Sequence, residues 1–517
     1  MDRREFLRAA GVAAGAVTLG GGVLLGDDDA RSVVRADVRS GSGGDSILDH
    51  PATESPIDTV VVLMVENRSF DHYYGWLGSD EGYLDAGRRR YGKDSHIDGR
   101  VKGAYRKPGS PDRVHTTALV GNPNEPNPWR GCNHPPPGHT WENGRAQLRH
   151  GFLGEGTGND EFATSYFLAA DLPYHAELAS RWTVFDRYFP SLLASTFPNR
   201  QYLHTAQSEG NKEDPTQLDI GIFGGRTIWD QLERARVPAR SYYTDLPVLL
   251  LFGDKYSDRV ASTDRFFEDC EHGTLPRVAF VDPGFGGDER TDDHPQGDVR
   301  LGQRFIREIF RAFRSSPHWE HGVFILVYDE WGGFFDHVRP PRLPDARASK
   351  VLKNDFGQAG FRVPAAMASP YGLYGGVDHR VYDHTSVLRF LEWRFLGAPA
   401  EGPKGGSGRW WLTTRDRHAH NIGATLSTRR GDVDWQSELP VSAASPACAP
   451  GQAAVGTDPF TYSAALTEAL IADYPGPALT PWLDNEKETP LPAEPKALTP
   501  ASTLPSSAPS TTKPATR

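Results

Sequence analysis

Three short apolar runs constrain this chain more than anything else in it. Val60–Val65 (VVVLMV), Val278–Val281 (VAFV) and Val323–Tyr328 (VFILVY) are rich in β-branched residues and show no polar alternation. A strand of that kind is buried on both faces, which a sheet achieves only when helices cover both sides. Helical patterning follows the runs. In DVRLGQRFIREIFRAF, residues 298–313, Leu301, Phe305, Ile306, Ile309, Phe310 and Phe313 recur at spacings of three and four, with Asp298 as the candidate cap. DHTSVLRFLEWRF, from Asp383, repeats the plan. Strands alternating with helices predict an α/β fold with a central, mostly parallel sheet between helical layers, whose ligands gather at the carboxyl ends of the strands.

Two of the runs break into acid at that edge. Glu66-Asn67 follows the first directly, and Asp329-Glu330 follows the third. Two pairs of oxygen ligands on one rim can converge on a single divalent cation, and an all-oxygen set favours a hard ion over zinc, though Ca, Mn, Mg and Zn all stay open. Caps and turns also use such residues. Yet acid, amide and histidine clustered beside glycine turns, in NRSFDHYYG and WGGFFDHV, are costly to bury without a cation.

A hydroxyl nucleophile has a candidate position in FPSLLASTFPNRQYLHTA, residues 189–206, where Ser195 and Thr196 precede Pro198-Asn199-Arg200 at the start of a helix. Backbone N–H groups and the positive helix end favour an anionic phosphate there. Of 18 histidines, His139, His294 and His337 lie in polar segments rich in glycine or proline that read as loops, where an imidazole can hold a phosphoryl oxygen or protonate a leaving alcohol.

The ends of the chain read differently. MDRREFLRAAGVAAGAVTLGGGVLLG pairs Arg3 and Arg4 ahead of a weakly hydrophobic Ala/Gly run, the pattern of a twin-arginine export signal read by the twin-arginine translocation machinery. With cleavage after Ala30 or Ala36, residues 1–36 are signal, and the mature chain is periplasmic, cell-wall-associated or secreted. Residues 484–517, dominated by Pro, Ser, Thr and Ala, cannot bury enough apolar surface to offset ordering and are expected to be a disordered tail. One catalytic domain, about 48–480, lies between. A net charge of −11 excludes general nucleic-acid binding, since there is no basic excess to neutralise phosphates. Three widely spaced cysteines allow at most one disulfide.

Six ordered blocks, VVVLMVENRSFDHYYGWL, DLPYHAELASRWTVFDRYFPSLLASTFPNRQYLHTA, TIWDQLERARV, DDHPQGDVRLGQRFI, VYDEWGGFFDHV and YDHTSVLRFLEWRF, resemble the bacterial phosphoesterase family. That family holds phosphatidylcholine-type phospholipases C and a branch of acid phosphatases, and its fold is similar to that of the alkaline phosphatase-like superfamily. The resemblance runs from about Ile57 to Phe395. It implies that Glu66, Asn67, Asp329 and Glu330 bind the metal, that Thr196 attacks phosphorus, and that His294 and His139 contact the phosphoryl group, with His337 in the matching block. Phe197 and Trp331 depart from the family pattern, which has a small polar or acidic residue and a histidine there. Together with Tyr73 and Tyr74 they are expected to make the site rim aromatic and suited to a phosphorylcholine diester such as phosphatidylcholine, with peripheral contact to a membrane. A monoester phosphatase is the alternative. A binding protein that captures phosphate esters without turnover is a third reading, against which the hydroxyl at position 196 speaks.

Replacing Arg3 and Arg4 by lysines keeps the charge and is expected to stop export, because the translocation machinery reads the arginine pair itself. Fractionation of cells expressing the variant checks this, and normal appearance outside the cytoplasm would return the segment to the ordinary secretory class.

Overall fold

The structure, a computed structural model, describes residues 46–100, 104–106, 113–295, 297–348, 355–400, 410–431, 442–449 and 461–462. All of them belong to the larger of two units, residues 38–517. The expected export signal and the expected tail lie outside the described residues.

The three apolar runs are the middle of one sheet. They form β1 (Thr59–Val65), β5 (Val278–Val281) and β6 (Gly322–Tyr328), and every residue in them is buried. Five further strands complete the sheet: β2 (Thr183–Phe185), β3 (Ala239–Tyr243), β4 (Val260–Ser262), β7 (Ala365–Ala368) and β8 (Val377–Asp378). The order across the sheet is β8-β2-β7-β6-β1-β5-β3-β4. All pairings are parallel except the two made by β7.

Register shows that both faces are covered. Phe280 pairs with Val62 and Phe324 with Val61, so these rings point to opposite sides of the sheet. Phe280 meets Trp229 of α4 (Ile228–Arg234) and His204 of α3 (Thr196–Thr205), with ring centroids 5.2 and 5.3 Å away. Phe324 meets Phe310 of α6 (Val299–Ser315) at 5.1 Å. Helix α7 (His384–Leu396) packs with α3 and α4, while α2 (Pro173–Arg181) and α5 (Thr263–His272) pack with α6. A further helix, α1 (Trp141–His150), leads out of the loop that carries His139.

The helix signals read from sequence are present. Asp298 caps α6 by accepting from the Arg300 N–H at 3.0 Å, and the six apolar residues of its stripe are buried. Asp383 caps α7 by accepting from the Thr385 N–H at 3.1 Å. Gly397, at φ 72°, ends α7 in the left-handed conformation that glycine adopts most readily. The cysteines resolve as one bridge, Cys132–Cys448, and a free, buried Cys270. No helix among the described residues is long and apolar enough to cross a membrane.

Candidate active site

Parallel pairing brings the carboxyl ends of β6, β1 and β5 side by side, and each delivers acid: Asp329-Glu330, Glu66 and Asp282. Asp282 escaped the sequence reading although it obeys the same rule. It follows a buried strand directly, but as a single acid before Pro283. All four carboxyls are at most 5% exposed.

Asn67 turns the chain away from β1 with φ 68°, a left-handed conformation that asparagine tolerates better than most residues. Its N–H donates to Asp329 Oδ1 at 3.2 Å. Gly332 makes the turn possible, because a Cβ there would lie 2.0 Å from the Asn67 carbonyl oxygen. The Asn67 amide then links two other segments. Its Oδ1 accepts from Thr196 Oγ1 at 3.3 Å, and its Nδ2 faces His139 Nε2 at 3.4 Å. Thr196 is the first residue of α3, so its role is not that of a cap. Ser195 occupies the cap position without a capping hydrogen bond. Of the backbone N–H groups at this helix start, that of Phe197 is already used, donating to Asp214 Oδ1 at 2.7 Å.

His139, which meets this amide, and His294 beside it are poised in one tautomer. His139 Nδ1 lies 2.8 Å from the Pro137 carbonyl, and His294 Nδ1 lies 2.9 Å from the Pro295 carbonyl. A carbonyl only accepts, so each Nδ1 carries the proton and each Nε2 keeps a lone pair. Burial lowers the pKa of both rings, and for His294 the Arg290 guanidinium lowers it further. The rings stand 5.9 Å apart between centroids. Thr196, Asn67, His139, His294, Glu66, Asp329 and Glu330 thus gather in one place.

The balance of charge there is negative. Glu66, Asp282, Asp292, Asp329 and Glu330 meet two guanidiniums: Arg200, which pairs with Glu66, Asp282 and Asp329, and Arg290, which pairs with Asp292 and Glu66. Five carboxylates against two guanidiniums leave three negative charges if all are ionised. Burial and neighbouring acids accordingly push Glu66 and Glu330 well above the usual carboxylate range, and burial takes Asp329 up to about 7. Glu330 Oε1, Asp329 Oδ2 and Asp282 Oδ2 are buried without a hydrogen-bond partner. Such an excess of buried oxygen is compatible with a divalent cation.

His337 sits elsewhere in the hydrogen-bond network. Nδ1 lies 2.7 Å from Asp71 Oδ2 and Nε2 lies 3.1 Å from Asp98 Oδ1, so both ring nitrogens are taken. Asp71, Asp336 and His337 bring ligand atoms within 4.8 Å of one another, close enough to grip an ion. Arg362, fully buried, already donates into the group through Nε to Asp336 at 2.9 Å and Nη2 to Asp71 at 3.1 Å. With a guanidinium and a charged imidazole among its acids, this group is balanced as it stands.

The expected aromatic rim is absent. Tyr73, Tyr74, Phe197 and Trp331 are each 0% exposed and belong to the core. Tyr73 packs edge-on against Phe167 and Tyr328, while Phe197 meets Phe223 and Trp331 meets Phe361 in tilted contacts. Trp331 Nε1–H is spent on Gln147 Oε1 at 2.8 Å. A motif rich in aromatics fits a sheet-covering core as readily as a rim, and here the core has them.

Burial opposes charge on His337, but its hydrogen bonds to Asp71 and Asp98 outweigh that and raise its pKa to about 10. A histidine raised above its unfolded value of ~6.5 contributes stability that is full below that pH and is lost as pH rises through the folded value. The deficit of His337→Asn in urea unfolding is therefore expected to be largest near pH 6 and to narrow towards pH 10. An unchanging deficit would show the ring to be neutral throughout.

The Phosphoesterase family model matches residues 57–396. The chain is 32% identical over 361 residues to non-specific phospholipase C4 of Arabidopsis thaliana, a match covering 64% of this chain and 66% of that protein. It is 29% identical over 404 residues to phospholipase C B of Mycobacterium tuberculosis, covering 68% and 75%. The chain thus spans about two thirds to three quarters of the length of these relatives. Against solved structures the likeness is weak, as with a Vibrio parahaemolyticus protein of the alkaline phosphatase superfamily, at 11% identity and a TM-score of 0.31 over 72% of this chain and 75% of that one. The family match over most of the folded unit is decisive: the chain belongs to the phosphoesterase family.

Proposed function

We propose that the protein is a phosphoric ester hydrolase of phospholipase C type, cleaving phosphodiesters through a phosphothreonine intermediate with the help of one divalent cation. The observation that carries this reading is the Thr196 hydroxyl, hydrogen-bonded to the Asn67 amide, which in turn meets His139 Nε2, with the His294 ring 5.9 Å from that of His139. The names of the relatives, phospholipase C in plant and mycobacterium alike, support the same class.

The buried, unpartnered oxygens of Asp329 and Glu330 fit a hard cation, which Glu66, Asn67, Asp329 and Glu330 would hold. Bound there, it supplies positive charge that favours ionisation of a hydroxyl and offsets charge on the phosphoryl oxygens. Thr196 Oγ attacks phosphorus, and the Oγ–P bond forms as the bond from phosphorus to the departing alcohol oxygen breaks. Its proton passes to Nε2 of His139 or His294, and the same pair returns a proton to the alcohol. Water then attacks phosphorus, gives its proton to the histidines, and the Oγ–P bond breaks as Thr196 is reprotonated and the phosphorylated headgroup leaves. Positioning and charge carry this chemistry.

Charge also favours a diester over the monoester alternative. A monoester dianion carries more negative charge than a diester, and a site made for it adds a second cation or an arginine. Arg200 and Arg290 are already committed to carboxylates. With Tyr73, Tyr74, Phe197 and Trp331 buried in the core, nothing supports a choline preference, and the headgroup stays general: a phospholipid or a small phosphodiester. Export by the twin-arginine route to the periplasm, the cell wall or the medium fits the Cys132–Cys448 bridge, since disulfides persist in oxidising compartments. Contact with lipid would then be peripheral.

A chromogenic phosphodiester is expected to be hydrolysed with higher kcat/KM than the matching aryl monoester at the same pH, and a tenfold monoester preference would promote the phosphatase reading. Thr196→Val, close in shape, is expected to lose about 10³-fold or more in rate, equivalent to ~4 kcal/mol of barrier. Activity above a tenth of the parent would remove Thr196 from the nucleophile's role.

Asp329→Asn is expected to lower both metal content and rate, and chelation to inactivate reversibly. Full metal content and full activity in that variant would reduce the strand-end acids to turn formers.

A further inference from the structure

One side chain answers all three strand ends. Arg200 Nη1 donates to Asp282 Oδ1 at 3.0 Å, Nη2 to Glu66 Oε2 at 3.4 Å, and Nε lies 3.4 Å from Asp329 Oδ2 without forming a hydrogen bond. The guanidinium lies 4.7 Å from the centroid of the Phe285 ring, and the residue is 1% exposed. It stands four residues after Thr196 on α3, one turn along the same helix face.

This is an unusual way to use an arginine. Its planar fork is best matched by carboxylates that grip it through both oxygens, as Asp292 does to Arg290, whose Nε lies 2.9 and 3.0 Å from the two oxygens. Around Arg200, three carboxylates from three adjacent strands each turn a single oxygen towards one cation. Asp282 keeps its second oxygen buried and unpartnered, while the Asp329 oxygen that faces Arg200 makes no hydrogen bond and its other oxygen, Oδ1, accepts from the N–H groups of Asn67 and Glu330. One oxygen from each of several carboxylates, converging from different elements, is the pattern that a divalent ion collects.

We infer that Arg200 is a fixed cation standing where the sheet edge would otherwise gather a second metal ion. It binds Asp282 and one oxygen of Glu66, approaches Asp329 Oδ2 without a hydrogen bond, and so leaves the strand ends able to hold one exchangeable cation and no more. Unlike a bound ion, this guanidinium is removed neither by a chelator nor by pH in the ordinary range, and it is covalently attached to the nucleophile's helix. The inference rests on the cation site proposed above.

The test is the number of ions bound, not turnover. After equilibrium dialysis against Mn²⁺, metal per chain is counted by mass spectrometry. The native chain is expected to bind one Mn²⁺, Arg200→Ala two, and Arg200→Ala combined with Asp282→Asn one. Two ions in the native chain, or one in folded Arg200→Ala, overturns the inference while leaving the proposed cation site standing. No Mn²⁺ bound by the native chain sinks that site and the inference together. Asp282→Asn alone keeps the inference open to refutation if Arg200→Ala does not fold. Its Mn²⁺ affinity is expected to stay within threefold of native, whereas Asp329→Asn should fall at least tenfold. A tenfold fall for Asp282→Asn would make Asp282 a ligand of the exchangeable ion and Arg200 no substitute for a second.

Discussion

Buried carboxylate in excess of buried cation is the condition around which this molecule is organised. A parallel sheet covered on both faces cannot avoid crowding its strand ends together, and here three central strands all end in acid. Each carboxyl alone would cost several kcal/mol to bury ionised. Arg200 and Arg290 lower that cost without cancelling it, and the remainder is a standing attraction for positive charge. The nucleophile's helix contributes the larger share of the compensation, so Thr196 and the acids it works with are held in register by the same ion pairs.

A second buried ionic group does structural work of another kind. Asp71, Asp98, Asp336, His337 and Arg362 tie the segment after β1 to the loop after β6 and to the residues before β7. With Arg187, which pairs with Asp98 at 3.2 Å, its three acids meet three cations, where the acids of the sheet edge are in excess. The contrast separates two clusters of similar composition, one closed and one in need of a partner.

Much of this was legible in the sequence because it is local. The buried runs, the stripe of α6, the caps Asp298 and Asp383 and the acid pairs at the strand ends all depend on residues within one turn or one strand of each other. What escaped depends on distance. His337 finds Asp71 across 266 positions, and Arg200 finds Glu66 across 134, so neither partnership leaves a mark in its own motif. The aromatics misled for a related reason: a block containing Tyr73, Tyr74 or Trp331 shows that a ring is present, but not which way the sheet will turn it. Asp282 was within reach, since it obeys the strand-end rule, and it was passed over for want of an acidic neighbour.

The left-handed turn at Asn67 sets a limit on how such a protein can change. The amide that touches Thr196 and His139 is aimed by backbone geometry, and that geometry has Gly332 pressed against its carbonyl. Neither residue can drift on its own: any side chain at 332 collides, and most residues at 67 strain the turn and lose both contacts. Diversification in a lineage built on this chassis is therefore steered away from the nucleophile's neighbourhood and into the connecting loops, so new substrates are acquired at the entrance while the chemistry beneath stays fixed.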